Sequence, residues 1–240
     1  MRKYATVFLL CLAANFVLYG SGCERQHKTE TEVPPAPIKQ LNTDVMEYRE
    51  EELVFSFSMD DFIDSYNGFY QMDKHTPYLR PASEWQCTVY DDGVQARHKT
   101  YYYQFAEDEK VWSLPSISVY VPSDGDYVQK ITVNFDDHSY TEQTFQMYES
   151  MCYYTLKTLF PEFDHERIIE LYTKLNQLAY DHLSNEKYSA DIIPYALYYK
   201  DGIGVYSHFV IGGMLRLCVV PVSQEYLKEL ETKGVLITEI

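Results

Sequence analysis

Apolar and polar positions are distributed differently along three stretches of this chain. From Tyr4 to Tyr19 nearly every position is apolar, with Thr6 and Asn15 the clear interruptions. From Glu24 to about Glu52 apolar residues are scarce, and Val33-Pro34-Pro35-Ala36-Pro37 breaks the stretch. From Leu53 to the end the apolar residues recur with periods of helices and strands, which predicts one folded domain over residues 53–240.

Within that domain Ser58-Met59-Asp60-Asp61 reads as a helix cap, followed by Phe62, Ile63, Tyr66 and Phe69 or Tyr70 on one face. Strand alternation follows three times: Trp85, Cys87 and Val89; Ile117, Val119 and Val121 against Ser116 and Ser118; Ile131, Val133 and Phe135 against Thr132 and Asn134. Lys99 to Ala106 is a fourth strand. Asp91-Asp92-Gly93 and Pro122-Ser123-Asp124-Gly125 carry turn chemistry, so an antiparallel meander is expected.

Ser139 and Glu142 have capping-box spacing ahead of a stripe of Phe145, Tyr148, Cys152, Leu156 and Leu159, which Pro161 stops. Asp164 then caps a helix with Ile168, Leu171, Tyr172, Leu175, Leu178 and Ala179 on one face. Strands return at Ile193 to Lys200 and Ile203 to Ile211, joined at Asp201-Gly202, a strong hairpin signal. A third runs from Met214 to Val220. Ser223 caps a last helix that Gly234 ends. Segregated runs of strands and helices predict an α+β fold, an antiparallel sheet with helices packed on it. The order also allows two similar α-β-meander-α halves around one sheet.

The first stretch supplies an address. Arg2 and Lys3, the apolar run and the small residues Gly20, Ser21 and Gly22 are the parts of a secretory signal over residues 1–22. Cys23 directly after those small residues resembles a lipoprotein signal, in which the cysteine is lipidated and becomes the new N-terminus. That pattern usually has Leu three residues before the cysteine; here Gly20 stands there and Leu18 lies two positions earlier. An uncleaved membrane helix is the alternative. Arg2 and Lys3 favour the cytoplasmic side under both readings, so the bulk of the chain lies outside. Residues 23–52, polar and stiffened by proline, read as a flexible tether.

Charge narrows the partners. The chain carries −16, and loss of Arg2 and Lys3 with a leader lowers Lys+Arg from 20 to 18 against 36 Asp+Glu. So acidic a surface repels nucleic acid and anionic headgroups. Cys87, Cys152 and Cys218, widely spaced beside apolar neighbours, are expected as buried thiols, with one bridge among them open outside the cell.

The leader with Cys23, the Pro-rich tether, the segment Asp61-Phe62-Ile63-Asp64-Ser65-Tyr66-Asn67 and the Leu159-Phe160-Pro161 break resemble small membrane lipoproteins of Gram-positive bacteria. The resemblance implies acyl chains on Cys23 and a place on the outer face of the membrane in the cell envelope; many members of that group are of unknown function, so it transfers no active site.

Candidate chemistry is sparse. His165-Glu166 starts like a zinc-protease helix, but Ile169 stands where the second histidine belongs. Asp136-Asp137-His138 offers a carboxylate pair beside an imidazole, as acid and base or as metal ligands, and equally a solvated loop before a helix. Gly-x-Ser-x-Gly and Ser-x-x-Lys are absent. Gly202, Gly204, Gly212 and Gly213 flank hairpin strands instead of opening a helix, so no phosphate loop is read.

Twenty-four tyrosines include Tyr101-Tyr102-Tyr103, Tyr153-Tyr154 and Tyr198-Tyr199. Adjacent strand residues face opposite sides, which sends one of each pair toward the surface, where tyrosine suits peptides and sugars. Packing on a half-buried sheet explains the same residues. The expected function is a membrane-tethered binding or interaction protein of the envelope, with a protein, peptide or glycan partner, no cofactor and no enzymatic role. An envelope hydrolase built on acidic residues and a histidine, and a structural subunit of an envelope complex, are the alternatives.

Overall fold

A computed structural model of the chain describes residues 38–49, 52–73, 78–89, 98–104, 114–136, 140–185, 196–210 and 213–240. Cys23 and the leader lie outside these residues, as do the prolines of the tether, Asp91-Asp92-Gly93, Asp137 and His138.

The fold is α+β. Among the described residues ten strands are β1 (Val45–Arg49), β2 (Glu52–Phe55), β3 (Gln86–Val89), β4 (His98–Gln104), β5 (Ser116–Pro122), β6 (Lys130–Asp136), β7 (Leu197–Lys200), β8 (Ile203–Val210), β9 (Met214–Pro221) and β10 (Leu236–Ile237). Four α-helices among the same residues are α1 (Met59–Met72), α2 (Glu142–Leu159), α3 (His165–Asn185) and α4 (Gln224–Lys233). Strands β3 to β10 make one sheet in the order β10-β7-β8-β9-β6-β5-β4-β3. Each pairing in it is antiparallel except β10 with β7.

Two meanders therefore meet at their last strands. β3 to β6 run inward from one edge, β7 to β9 run inward from beside β10 at the other, and β6 lies beside β9. A helix precedes and a helix follows each meander, α1 and α2 around the first, α3 and α4 around the second. The two expected halves are present as topology.

Local chemistry explains most element ends. Ser58 accepts from the Asp61 amide at 3.1 Å, while the Asp61 carboxylate accepts from the Ser58 amide at 3.0 Å. This reciprocal box starts α1. In α2 the cap moves from the expected position: the helix begins at Glu142, so the residue three beyond the cap is Thr144, and Thr141 and Thr144 exchange amide-to-hydroxyl bonds of 3.1 and 2.9 Å. Asp164 caps α3 through the Arg167 amide at 2.8 Å. Asp201 and Gly202 both hold positive φ, 50° and 87°, which matches the twist of a two-residue hairpin between β7 and β8. Gly234, at φ 68°, closes α4.

The folded domain takes in residues before Leu53. β1 pairs with β2, Ser56 bonds to the backbone of Asn42 and Asp44, and Lys39 pairs with Asp61. The hairpin is tied to the β5–β6 connection by Phe55 N–H to Val128 O at 2.8 Å and Val128 N–H to Phe57 O at 3.1 Å. Residues 38–49 and Glu52 are thus tied into the folded body instead of the tether. Their polar composition concealed it, because an edge hairpin needs only a few apolar contacts, such as Tyr48 against Tyr127 at 6.1 Å.

Helices α2 and α3 pack on one face of the sheet and α1 packs on α2. That face carries Ile117, Val119, Ile131, Val133, Phe135, Val205, Leu215, Leu217 and Val219, all buried. Phe135 meets Phe145 and Tyr148 at 5.5 and 5.4 Å, and Tyr180 meets Phe209 at 4.7 Å. Burying large side chains of this kind stabilises by about 1.5–3 kcal/mol each. Cys152 and Cys218 are buried free thiols, whereas Cys87 is exposed on β3. The expectation of three buried thiols fails at Cys87, because β3 is the edge strand and its four residues are all exposed.

Candidate ligand-binding face

The opposite face of the sheet is built differently. Strand periodicity sends Ser116 and Ser118, Lys130, Thr132, Asn134 and Asp136, Arg216 and Cys218, and Tyr206 and His208 to the side away from α2 and α3. Register aligns them into rows. Ser116, Asn134, Arg216 and His208 stand side by side across β5, β6, β9 and β8; Ser118, Thr132, Cys218 and Tyr206 form the next row. Tyr120 faces Lys130 one row further.

Helix α4 covers one end of this face. Leu230, with Tyr226 and Leu227 beside it, closes over Leu197, Tyr206, Cys218 and Val222. The rest is polar yet not fully solvated. Ser118, Thr132 and Asn134 are buried, while Arg216, His208, Lys130 and Ser116 are half-buried.

A hydrogen-bond chain runs along the first row. Arg216 Nε donates to Asn134 Oδ1 at 2.7 Å, and Asn134 Nδ2 donates to Ser118 Oγ at 3.1 Å and to Ser116 Oγ at 3.3 Å. A longer contact joins Asn134 Nδ2 to Ser116 O at 3.4 Å. The amide thereby holds one edge of the guanidinium in place. Arg216 Nη2 reaches only the Met214 sulfur, at 3.5 Å. Lys130 Nζ sits 5.6 Å from the centre of the Tyr120 ring. Among the described residues no carboxylate pairs with Arg216 or Lys130. Thr132 Oγ1 is buried without a hydrogen-bond partner.

His208 completes the cluster, with Nδ1 3.7 Å from Cys218 Sγ and its ring stacked on Tyr206 at 5.6 Å. Burial, then the nearby Arg216 and Lys130 charges, push its pKa down to about 4, so the ring is neutral at pH 7. Burial pushes the Cys218 thiol up, which keeps it protonated and unreactive. Two cations, one neutral imidazole and a row of hydroxyl and amide groups can grip an oxyanion by charge and by donated hydrogen bonds.

The residues singled out from sequence scatter around this face. Asp136 lies on it, two residues beyond Asn134 and opposite Met214; Asp137 and His138 fall outside the described residues. His165 is the first residue of α3, against Tyr153 at 5.0 Å. Among the described residues no group of three His, Cys, Asp or Glu side chains can hold a metal ion, and no helix is long and apolar enough to cross a membrane.

The tyrosines divide as well. Tyr198 is buried and Tyr199 half-buried on β7, which follows the alternation. Tyr153 and Tyr154 sit on α2, not on a strand, and Tyr154 donates to Asp73 Oδ2 at 2.7 Å. Tyr101-Tyr102-Tyr103 form part of β4, with side chains outside the described set. None of the polar rows was singled out from sequence. The available signal was Arg216 in the middle of the otherwise apolar run Met214-Leu215-Arg216-Leu217-Cys218-Val219-Val220.

Comparison with protein-family models, with curated proteins and with solved structures finds no match to this chain.

Proposed function

We propose that this protein is an extracytoplasmic binding protein of a bacterial envelope, held to the outer face of the membrane by acyl chains on Cys23. Its folded body presents the polar face of the sheet to a ligand. One observation carries the binding reading: Arg216 and Lys130 sit half-buried, without a carboxylate, in a chain that carries −16. A purely structural face would be expected to neutralise such charges or exchange them for apolar groups, because a desolvated, unpaired cation is destabilising. The address rests on Arg2, Lys3, the apolar run and Cys23. A single acyl chain anchors only marginally, so the anchor consists of more than one.

Intact mass of the protein recovered from its native membrane, beside a Cys23→Ala variant, tests the address. The expected mass lacks residues 1–22 and carries acyl chains that the variant loses. An unprocessed mass in both samples overturns the lipid anchor and leaves the leader as a membrane helix.

A further inference from the structure

We propose that the patch of the polar face holding Arg216, Asn134, Thr132 and Lys130 is a binding site for an oxyanion, a carboxylate or phosphate group borne by the ligand. This deepens the binding reading above and is independent of the anchor on Cys23.

Three observations converge on it. The Arg216 guanidinium is held at one edge only, by Asn134 Oδ1 at 2.7 Å, and Met214 Sδ is a weak acceptor at 3.5 Å. Its planar fork keeps N–H donors that no described residue accepts, and such a fork matches two oxygens of a carboxylate or phosphate. Lys130, on the neighbouring strand and the same face, adds a second positive charge whose nearest recorded partner is the Tyr120 ring. Arg216 stands directly beside His208 across β9 and β8, and Lys130 lies two rows away on the same face. The third observation is Thr132 Oγ1, buried, unpartnered and flanked on its own strand by Lys130 and Asn134. A buried hydroxyl left without a partner is destabilising by about 1–3 kcal/mol, and an acceptor brought by the ligand, or a water carried with it, removes that penalty.

The anchoring of Arg216 also explains the composition of its row. Ser116 and Ser118 accept from Asn134 Nδ2, which fixes the amide with its oxygen toward Arg216. The serines position the asparagine, and the asparagine positions the cation. Bound negative charge beside His208 would offset the two cations and raise its pKa, which gives the site its own reporter.

The test follows the His208 imidazole signal of the histidine-labelled full chain by NMR, assigned with a His208→Gln variant. Inorganic phosphate and acetate are titrated separately, with sodium chloride matching ionic strength. The expected result is a saturable shift with a rise in the His208 pKa; saturation by phosphate points to a phosphoryl ligand, by acetate to a carboxylate. Arg216→Gln should weaken binding about tenfold or more, equivalent to about 1.4 kcal/mol. Lys130→Met gives a second reading should Arg216→Gln fail to fold. Lys233→Gln, on α4 and paired with Glu229, should leave the titration unchanged. No shift with either anion, a shift matched by chloride, or one that survives both Arg216→Gln and Lys130→Met overturns the site. The Cys23→Ala mass comparison is unaffected by any of these outcomes, so failure of the anchor and failure of the site are read separately.

Discussion

The two faces of the central sheet solve opposite problems with the same strands. On the helical side Val133, Phe135, Leu215 and Leu217 meet α2 and α3, and the buried polar groups there are uncharged; some are bonded, whereas Asn176 Nδ2 and Thr155 Oγ1 have no partner. Asn176 Oδ1 accepts from Tyr148 at 3.2 Å and from Ser207 at 2.7 Å, tying α2, α3 and β8 together. On the other side Thr132, Asn134 and Arg216 alternate with those apolar residues, and the polar groups are only partly satisfied. Burial is similar for many of these positions, so exposure alone does not separate a core from a site. Charge does: the helical face buries uncharged polar groups, whereas the polar face holds Arg216 and Lys130 half-buried without a carboxylate and reads as built for something that arrives later.

The largest expected effect tests the stability half of that contrast. Phe135 is fully buried against Phe145 and Tyr148. Phe135→Ala should lower unfolding free energy by about 3–5 kcal/mol, as measured by denaturant titration. Asn134→Ser, one residue earlier on the other face, should cost clearly less, since it removes hydrogen bonds and little apolar area. Equal losses would break the distinction between the faces.

Acid and base stability should sharpen it next, because each side holds a group that burial shifts within the range of pH 4 to 7. Burial pushes Glu149, on α2, up to about 7, from 4.5. The folded state therefore binds the proton more tightly, and stability falls as pH rises from about 4.5 to about 7. Glu149→Gln should remove that fall and raise stability at pH 8 by about 3 kcal/mol, at 1.36 kcal/mol per pKa unit. His208 has the opposite sign. Its folded pKa of about 4 lies below 6.5, so the unfolded state binds the extra proton, and stability is lost as pH falls from about 6.5 toward 4. His208→Gln should remove that acid loss, of somewhat smaller size because the ring keeps some solvent contact. Denaturant midpoints across pH 4 to 8 check both signs, and a variant with the wild-type profile would overturn its assignment.

Elements that rest on local chemistry were legible in the sequence. The stripe Phe145, Tyr148, Cys152, Leu156 and Leu159 is buried as its period requires, and Asp201-Gly202 turns where expected. The misses share a cause. β10 is two residues long and exists through parallel pairing with β7, while β1 depends on β2 and on the connection around Val128. The polar rows need register across four strands, and Arg216 and Asn134 are 82 positions apart. Alternation correctly placed Ser118, Thr132 and Asn134 opposite the core, but period two cannot say whether the second face meets water. Three residues that read as a solvent face are buried. Cys87 errs in the other direction, exposed because its strand lies at the sheet edge.

The smallest effects compare a bonded hydroxyl with an unbonded one, one on each face, because two near-equivalent deletions should differ in sign. Ser207→Ala removes one donor to Asn176 on the helical side and leaves Asn176 Oδ1 with Tyr148 alone. A net hydrogen bond is lost from a buried network, and stability should fall by about 1 kcal/mol. Thr132→Val keeps the shape of the side chain and deletes a hydroxyl that has no partner. No hydrogen bond is lost, the desolvation penalty goes, and stability should rise by about 1 kcal/mol. Midpoints of denaturant unfolding at one pH, with unchanged slopes, measure both. If Thr132→Val destabilises as Ser207→Ala does, its hydroxyl is satisfied in solution, and the polar face loses one of the three observations that point to a ligand. If the signs differ, the folded state is holding a cost that an acceptor, brought by a ligand or by water, relieves.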